Sequence, residues 1–224
     1  TQIGEHAPQG KYVFQDMRGN ETTLLYKDLE RVTAARAATL QHLGLKKGDH
    51  FGLIVIEPEA FVVTFLSALR LGAVPVPWYP PLSMGNLDAY FDRTKKILST
   101  AKATHLIGSK VLKNVLFSLV DHVATLKAFI DVNDLLDDKE IPPCAECLPD
   151  DIGMMQYTCG STSDPKSVMV THAGLIACTT GLIYAGLGMD AVNDVAVGWL
   201  PLYHDMGLVG HVLSTLVTGM SSVL

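Results

Sequence analysis

From residue 51 onward, short apolar runs alternate with segments of helical periodicity, and few folds accept that order. Phe51–Ile56 reads as a buried strand. Pro58-Glu59 opens a helix that stops near Gly72. Ala73–Pro77 is extended, and Pro80-Pro81 forbids a helix there. Residues 86–101 place Leu87, Tyr90, Phe91, Thr94, Ile97 and Leu98 on one helical stripe. A strand at His105–Ile107, a helix over 110–122 and a strand at Leu126–Val132 continue the alternation. Strands apolar on both faces and separated by helices predict a parallel sheet covered on both sides.

Ahead of this unit, Tyr12–Asp16 and Thr22–Leu25 flank a Gly/Asn turn and predict a hairpin. A helix follows from Tyr26, with Leu29, Val32, Arg36, Leu40 and Leu43 on its stripe and Gly44 to end it. Residues 137–151 are charged, contain Pro142, Pro143 and Pro149, and read as a linker. Beyond them come strands at Ile152–Thr158 and Val168–Val170, a helix over Ala173–Leu187, a strand over Asp194–Leu200 and a helix over Met206–Val217. Ser221–Leu224 reads as the start of a further strand. The expected fold is α/β, with two lobes of mainly parallel, doubly wound sheet. The first lobe spans 1–136, the linker 137–151, and the second lobe begins over 152–224 with a phosphate loop.

The 224 residues carry 17 Lys+Arg against 23 Asp+Glu, a formal net charge of −6. That balance argues against a nucleic-acid partner, which needs a concentrated basic face. The greasiest stretch, Met206–Val217, is too short to cross a bilayer and holds His211. The amino end has no export pattern. Four cysteines are too few for a disulfide scaffold, so a cytoplasmic protein without an integral membrane segment is expected. Cys144-x-x-Cys147 lacks the second pair that a closed zinc site needs, and no metal ligands are assigned. Cys178 reads as buried in a helix, His172 as a helix-opening residue or a ligand, and Lys46-Lys47 and Lys95-Lys96 as solvated surface.

The chemistry concentrates in Tyr157–His172. Thr158, Ser161, Thr162 and Ser163 surround Gly160 in a loop between two strands, with Lys166 close behind. Backbone N–H groups, hydroxyls and an ammonium in one loop suit a polyphosphate, and a plain polar hairpin is the competing reading. The G-x-x-x-x-G-K-[ST] pattern that opens a helix is absent, which disfavours a P-loop kinase.

The order of residues in this loop resembles the phosphate-binding loop of the adenylate-forming enzymes: acyl-CoA synthetases, luciferases and adenylation domains of peptide synthetases. Trp199-Leu-Pro-Leu-Tyr-His-Asp-Met-Gly-Leu-Val-Gly210 and Gly72-Ala-Val-Pro-Val-Pro-Trp-Tyr-Pro-Pro81 are similar to segments of one branch, the fatty acyl-AMP ligases. The resemblance implies attack of a fatty carboxylate on the α-phosphate of Mg2+-bound ATP, then transfer of the acyl group to a thiol. In that branch the thiol is the phosphopantetheine arm of an acyl carrier protein, in a polyketide, peptide or lipid assembly line. In the acyl-CoA synthetases it is coenzyme A.

On this resemblance Thr158, Ser161, Thr162, Ser163 and Lys166 hold the β- and γ-phosphates, and Gly160 lets the backbone approach them. His204 matches a histidine beside the acyl and adenylate pockets, with helix capping as its alternative. Asp205 is expected as the N-cap. Met206, Gly207 and Leu208 line the acyl pocket or a plain core. Cys159 stands where the family has a hydroxyl, and a thiol is a weaker donor. Ser167 stands where it has glycine, at a cost of about 1 kcal/mol if that position takes φ > 0. These two departures support a third reading, a non-catalytic relative with a degraded loop. The family's adenine, ribose and metal residues, its hinge and its catalytic lysine lie later than anything matched here. The 224 residues alone are therefore expected to have little or no ligase activity.

Overall fold

The computed structural model describes residues 7–16, 18–81, 87–135, 145–158 and 165–224. The predicted hairpin forms from β1 (Lys11–Gln15) and β2 (Glu21–Leu25), paired antiparallel. Helix α1 (Tyr26–His42) follows, and Gly44, at φ +99°, ends it by adopting the left-handed backbone that a side chain would resist. Its buried face is rich in alanine (Ala34, Ala35, Ala37, Ala38), and α1 packs against α2 (Pro58–Leu71). Pro58 sits at the start of α2, where its missing N–H has no helical partner to lose.

Strands β3 (His50–Ile54), β4 (Val74–Pro77), β5 (His105–Gly108) and β6 (Ala128–Asp131) form a fully parallel sheet in the order β4-β3-β5-β6. The chain reverses its winding between β3 and β5, so the predicted doubly wound sheet is present. Edge strand β4 reads Val-Pro-Val-Pro. The N–H groups of Val74 and Trp78 donate to the carbonyls of Asp49 and Leu53 on the β3 side. Strand alternation then turns Pro75 and Pro77 to the outer edge, where no N–H exists to recruit another strand. Helix α3 (Leu87–Thr100) covers this sheet through Tyr90, Thr94, Ile97 and Leu98. The helix expected over 110–122 is instead a series of short turns, Lys110–Leu112, Lys113–Leu116 and Leu119–His122.

Strands β7 (Ile152–Thr158) and β8 (Lys166–Thr171) form an antiparallel hairpin. Helix α4 (His172–Thr180) widens into π-helical turns over Gly181–Leu187, and β9 (Val195–Val197) follows. The next helical run, α5, joins Asp205–Gly207, a π-helical Leu208–Leu213 and Ser214–Thr218. The final strand, β10 (Ser221–Val223), inserts between β1 and β9 and runs parallel to both. That sheet, ordered β2-β1-β10-β9, takes strands from both sides of segment 137–151. The buried cluster of Tyr12, Phe51, Phe61 and Phe65 likewise includes Leu208, Val212 and Leu213 from α5. Buried hydroxyls tie the ends together: Tyr12 donates to the Val212 carbonyl and Tyr26 to the Met220 carbonyl, each at 2.7 Å. Within the linker, Ala145 N–H bonds the Arg70 carbonyl and Asp151 pairs with Lys47 at 2.9 Å, so this end of it is pinned to α2 and its flank.

Candidate active site

Strand β7 is a run of seven, Ile-Gly-Met-Met-Gln-Tyr-Thr, with Met154, Met155 and Tyr157 buried and Thr158 exposed at its end. It packs against the proline-bearing edge strand β4 without joining that sheet. The antiparallel register sets Thr158 opposite Lys166 and Tyr157 opposite Ser167. The two residues that flank the hydroxyl-rich loop therefore stand side by side at the hairpin mouth. Cys159, Gly160, Ser161, Thr162 and Ser163 lie outside the described residues. Lys166 is exposed and forms no ion pair with a described residue. Ser167 lies within β8, and among the described residues only Lys102 has positive φ outside glycine. Ser167 therefore does not take positive φ, and the cost that such a backbone would carry does not arise. Burial raises the Tyr157 phenol above its usual range, and contact with the Ser167 hydroxyl partly offsets it.

The second motif is bonded to this hairpin through Gln156. Gln156 donates from Nε2 to the Tyr203 carbonyl at 3.1 Å. The first motif arrives through aromatic rings: Tyr79 lies 4.3 Å from Trp78, 5.6 Å from Tyr90 and 6.3 Å from Tyr203, centroid to centroid. Tyr90 also donates its hydroxyl to the Tyr79 carbonyl at 2.9 Å. Three segments separated by scores of residues thus meet at Tyr79, Gln156 and Tyr203. Gln156 and the two tyrosines were not singled out from sequence. The available signal was a lone amide inside an otherwise apolar strand.

His204, not Asp205, occupies the N-cap position of α5, with Asp205 as the first helical residue. The His204 Nδ1 lies 2.6 Å from Asp205 Oδ1 and 3.4 Å from the Met206 N–H, which is itself 2.7 Å from Asp205 Oδ1. The short contact requires a proton between the two, since a carboxylate oxygen and an unprotonated ring nitrogen both only accept. Nδ1–H therefore donates to Asp205, which also accepts from Met206 N–H. Both side chains are largely exposed. Of the three residues expected to line a pocket, Met206 is exposed, Leu208 belongs to the main core, and Gly207 lies against Pro201.

Other expectations resolve simply. His172 is the first residue of α4, and its N–H bonds the Asp151 carbonyl. Cys178 is exposed, contrary to its apolar surroundings in sequence. Cys147 is half-buried and Cys144 lies outside the described residues. Among the described residues no group of three or more His, Cys, Asp or Glu side chains converges on a metal position, and no helix is long and apolar enough to cross a membrane.

A parallel α/β sheet, a hairpin ending at Thr158 and Lys166, and a histidine-bearing turn thus lie together. The chain belongs to the AMP-binding enzyme family, whose model matches residues 3–224. It is 32% identical over 198 residues to a putative acyl-CoA synthetase of Caulobacter vibrioides, covering 88% of this chain and 34% of that protein. It is 29% identical over 215 residues to the long-chain-fatty-acid–AMP ligase FadD26 of Mycobacterium bovis, covering 93% and 36%. The fold matches the crystal structure of a fatty acyl-adenylate ligase from L. pneumophila in complex with acyl adenylate and pyrophosphate. That match has a TM-score of 0.84 at 28% identity and covers 98% of this chain and 37% of the other. The chain thus spans about a third of the length of the curated relatives it matches.

Proposed function

We propose that these residues form part of a fatty acyl-AMP ligase. It activates a fatty acid with ATP, releases pyrophosphate, and passes the acyl group to the phosphopantetheine thiol of an acyl carrier protein. The observation that carries this reading is the hairpin mouth, where Thr158 and Lys166 stand opposed beside the turn that bears His204. A carboxylate must approach a polyanion, so catalysis depends on donors that spread the charge of an in-line displacement. An oxygen of the fatty carboxylate attacks the α-phosphorus, the bond to the bridging oxygen breaks, and pyrophosphate leaves with that electron pair. The Thr158 hydroxyl and the Lys166 ammonium, with donors from Gly160, Ser161, Thr162 and Ser163, hold the β- and γ-phosphates during the displacement. Mg2+ would arrive with the nucleotide and neutralise phosphate charge. His204, oriented by Asp205, lies at the acyl-adenylate side. In the second step a thiolate sulfur attacks the acyl carbon and AMP departs.

The reaction needs the complete polypeptide, and the 224 residues alone turn over slowly or not at all. A cytoplasmic protein supplied with ATP and carrier protein, in polyketide or lipid assembly, fits this chemistry. The alternative acceptor is coenzyme A, favoured by the likeness to the Caulobacter synthetase. The test incubates the complete polypeptide with a medium-chain fatty acid, Mg2+, ATP, coenzyme A and a phosphopantetheinylated carrier protein, with products read by mass spectrometry. Acyl-AMP and acyl-carrier protein without acyl-CoA support the ligase, and acyl-CoA supports the alternative. Absence of both, with no ATP binding, overturns them in favour of the non-catalytic relative. Lys166→Ala should lower kcat/KM for ATP by about 10–100-fold, the scale of one lost charge-assisted bond.

A further inference from the structure

The peptide group between Tyr203 and His204 is held at both ends. Its carbonyl accepts from Gln156 Nε2 at 3.1 Å, and its N–H donates to the Pro201 carbonyl at 3.1 Å. The orientation of the Gln156 amide is unambiguous, because a backbone carbonyl can only accept and must face the NH2 group. The other amide atom, Oε1, is buried and has no hydrogen-bond partner among the described residues. An orphaned buried acceptor is unfavourable, and a methionine or leucine would fill this place in an apolar strand without that penalty. Strand alternation puts Gln156 on the same face of β7 as Thr158, two residues and about 7 Å along.

We infer that Gln156 is a positioning residue for adenylation: its amide fixes the peptide plane that presents His204 and so sets the distance between that turn and the phosphate-binding end of β7. This inference rests on the ligase reading above. The Gln156 amide is thus a direct link between the two motifs. Phosphate contacts at Thr158 and Lys166 do not pass through it. The expected lesion is therefore a fall in the rate of acyl-AMP formation, with affinity for ATP retained.

Two variants of the complete polypeptide test this. Gln156→Met keeps the shape and removes the donor. Gln156→Glu removes it only while ionised, since a protonated carboxyl can again donate to the Tyr203 carbonyl. Both should lower kcat for acyl-AMP formation about tenfold or more near pH 8, with KM for ATP within twofold of wild type and the thermal midpoint unchanged. The ratio of Gln156→Glu to Gln156→Met activity should rise as pH falls toward 6. Losses that follow the thermal midpoint, an increase in KM for ATP with kcat retained, or a flat ratio would each overturn the inference. Amide hydrogen exchange over Tyr203–Met206 gives a readout independent of turnover. Faster exchange in Gln156→Met supports the tether, and unchanged exchange overturns it. If wild type makes no acyl-AMP while the exchange result holds, the ligase reading fails and the tether stands.

Discussion

At the residue scale, the histidines divide according to what surrounds them. His211 is buried in α5, with Nε2 2.6 Å from Ser222 Oγ, and Gly198 backs its ring so closely that a Cβ there would approach Nδ1 to 2.6 Å. Burial holds its pKa below the ordinary histidine value. His105 and His172 are lowered as well, first by burial, and each also by a nearby lysine, Lys127 and Lys47 respectively. In the unfolded chain all three take up a proton near pH 6.5. The unfolded state then binds more protons than the folded one, so stability falls as pH drops through 6.5. Asp151 acts in a separate window. Its carboxyl is lowered by the Leu148 N–H and by Lys47, so its contribution is lost only below the usual carboxylate range. Urea unfolding at pH 7.5, 6.5 and 5.5 should show a falling midpoint in wild type and a shallower fall in His211→Gln. Equal slopes would refute the assignment to His211. Helix opening at 172 and capping at 204 were among the sequence readings, but the burial that lowers His105, His172 and His211 was not visible, because it depends on partners distant in the chain.

At the element scale, most strands and long helices were legible, since their periodicity records which face is buried. What escaped was the internal geometry of the helices. Both α4 and α5 contain π-helical stretches, and in α5 the Ser214 hydroxyl donates to the Val209 carbonyl five residues back, consistent with the wider turn. A repeat of apolar residues near every third or fourth position does not distinguish i→i+4 from i→i+5 hydrogen bonding over so short a run. The start of α5 is equally specific. A Cβ on Gly207 would lie 2.2 Å from the Pro201 carbonyl oxygen, against backbone that cannot swing aside. Gly207→Ala should therefore cost about 1–3 kcal/mol. Gly181→Ala, with helical φ of −62° and nothing within 4 Å, should be neutral or stabilising by up to about 1 kcal/mol. Equilibrium unfolding of the pair checks both, and an equal effect would mean the α5 turn relaxes freely.

At the scale of the whole molecule, exposed apolar side chains gather in one stretch. Val192, Trp199 and Val197 are 90%, 89% and 69% exposed, Val195 between them is exposed as well, and Val168, Met169, Ile176, Tyr184 and Leu187 precede them in the chain. Among the described residues, strand β9 is an edge of its sheet and β8 pairs only with β7. An apolar open edge is a template for further pairing. The 224-residue chain should therefore bind a hydrophobic dye and self-associate at micromolar concentration, and Val197→Lys should weaken both. Sedimentation as a monomer with no dye binding would show that this face is covered within the 224 residues.

Local order was set by the chain itself. Short apolar runs and near-four apolar patterns, with Pro58, Gly44 and Gly72, placed the elements, because each depends on neighbours a few residues apart. Long-range pairing was decided only by folding. The insertion of β10 between β1 and β9, the meeting of Tyr79 with Tyr203, and the bond from Gln156 to the Tyr203 carbonyl join residues tens to two hundred positions apart. No local pattern encodes such partners. They follow from which apolar faces remain to be buried once each element has formed, and from where the prolines of β4 stop its sheet from growing.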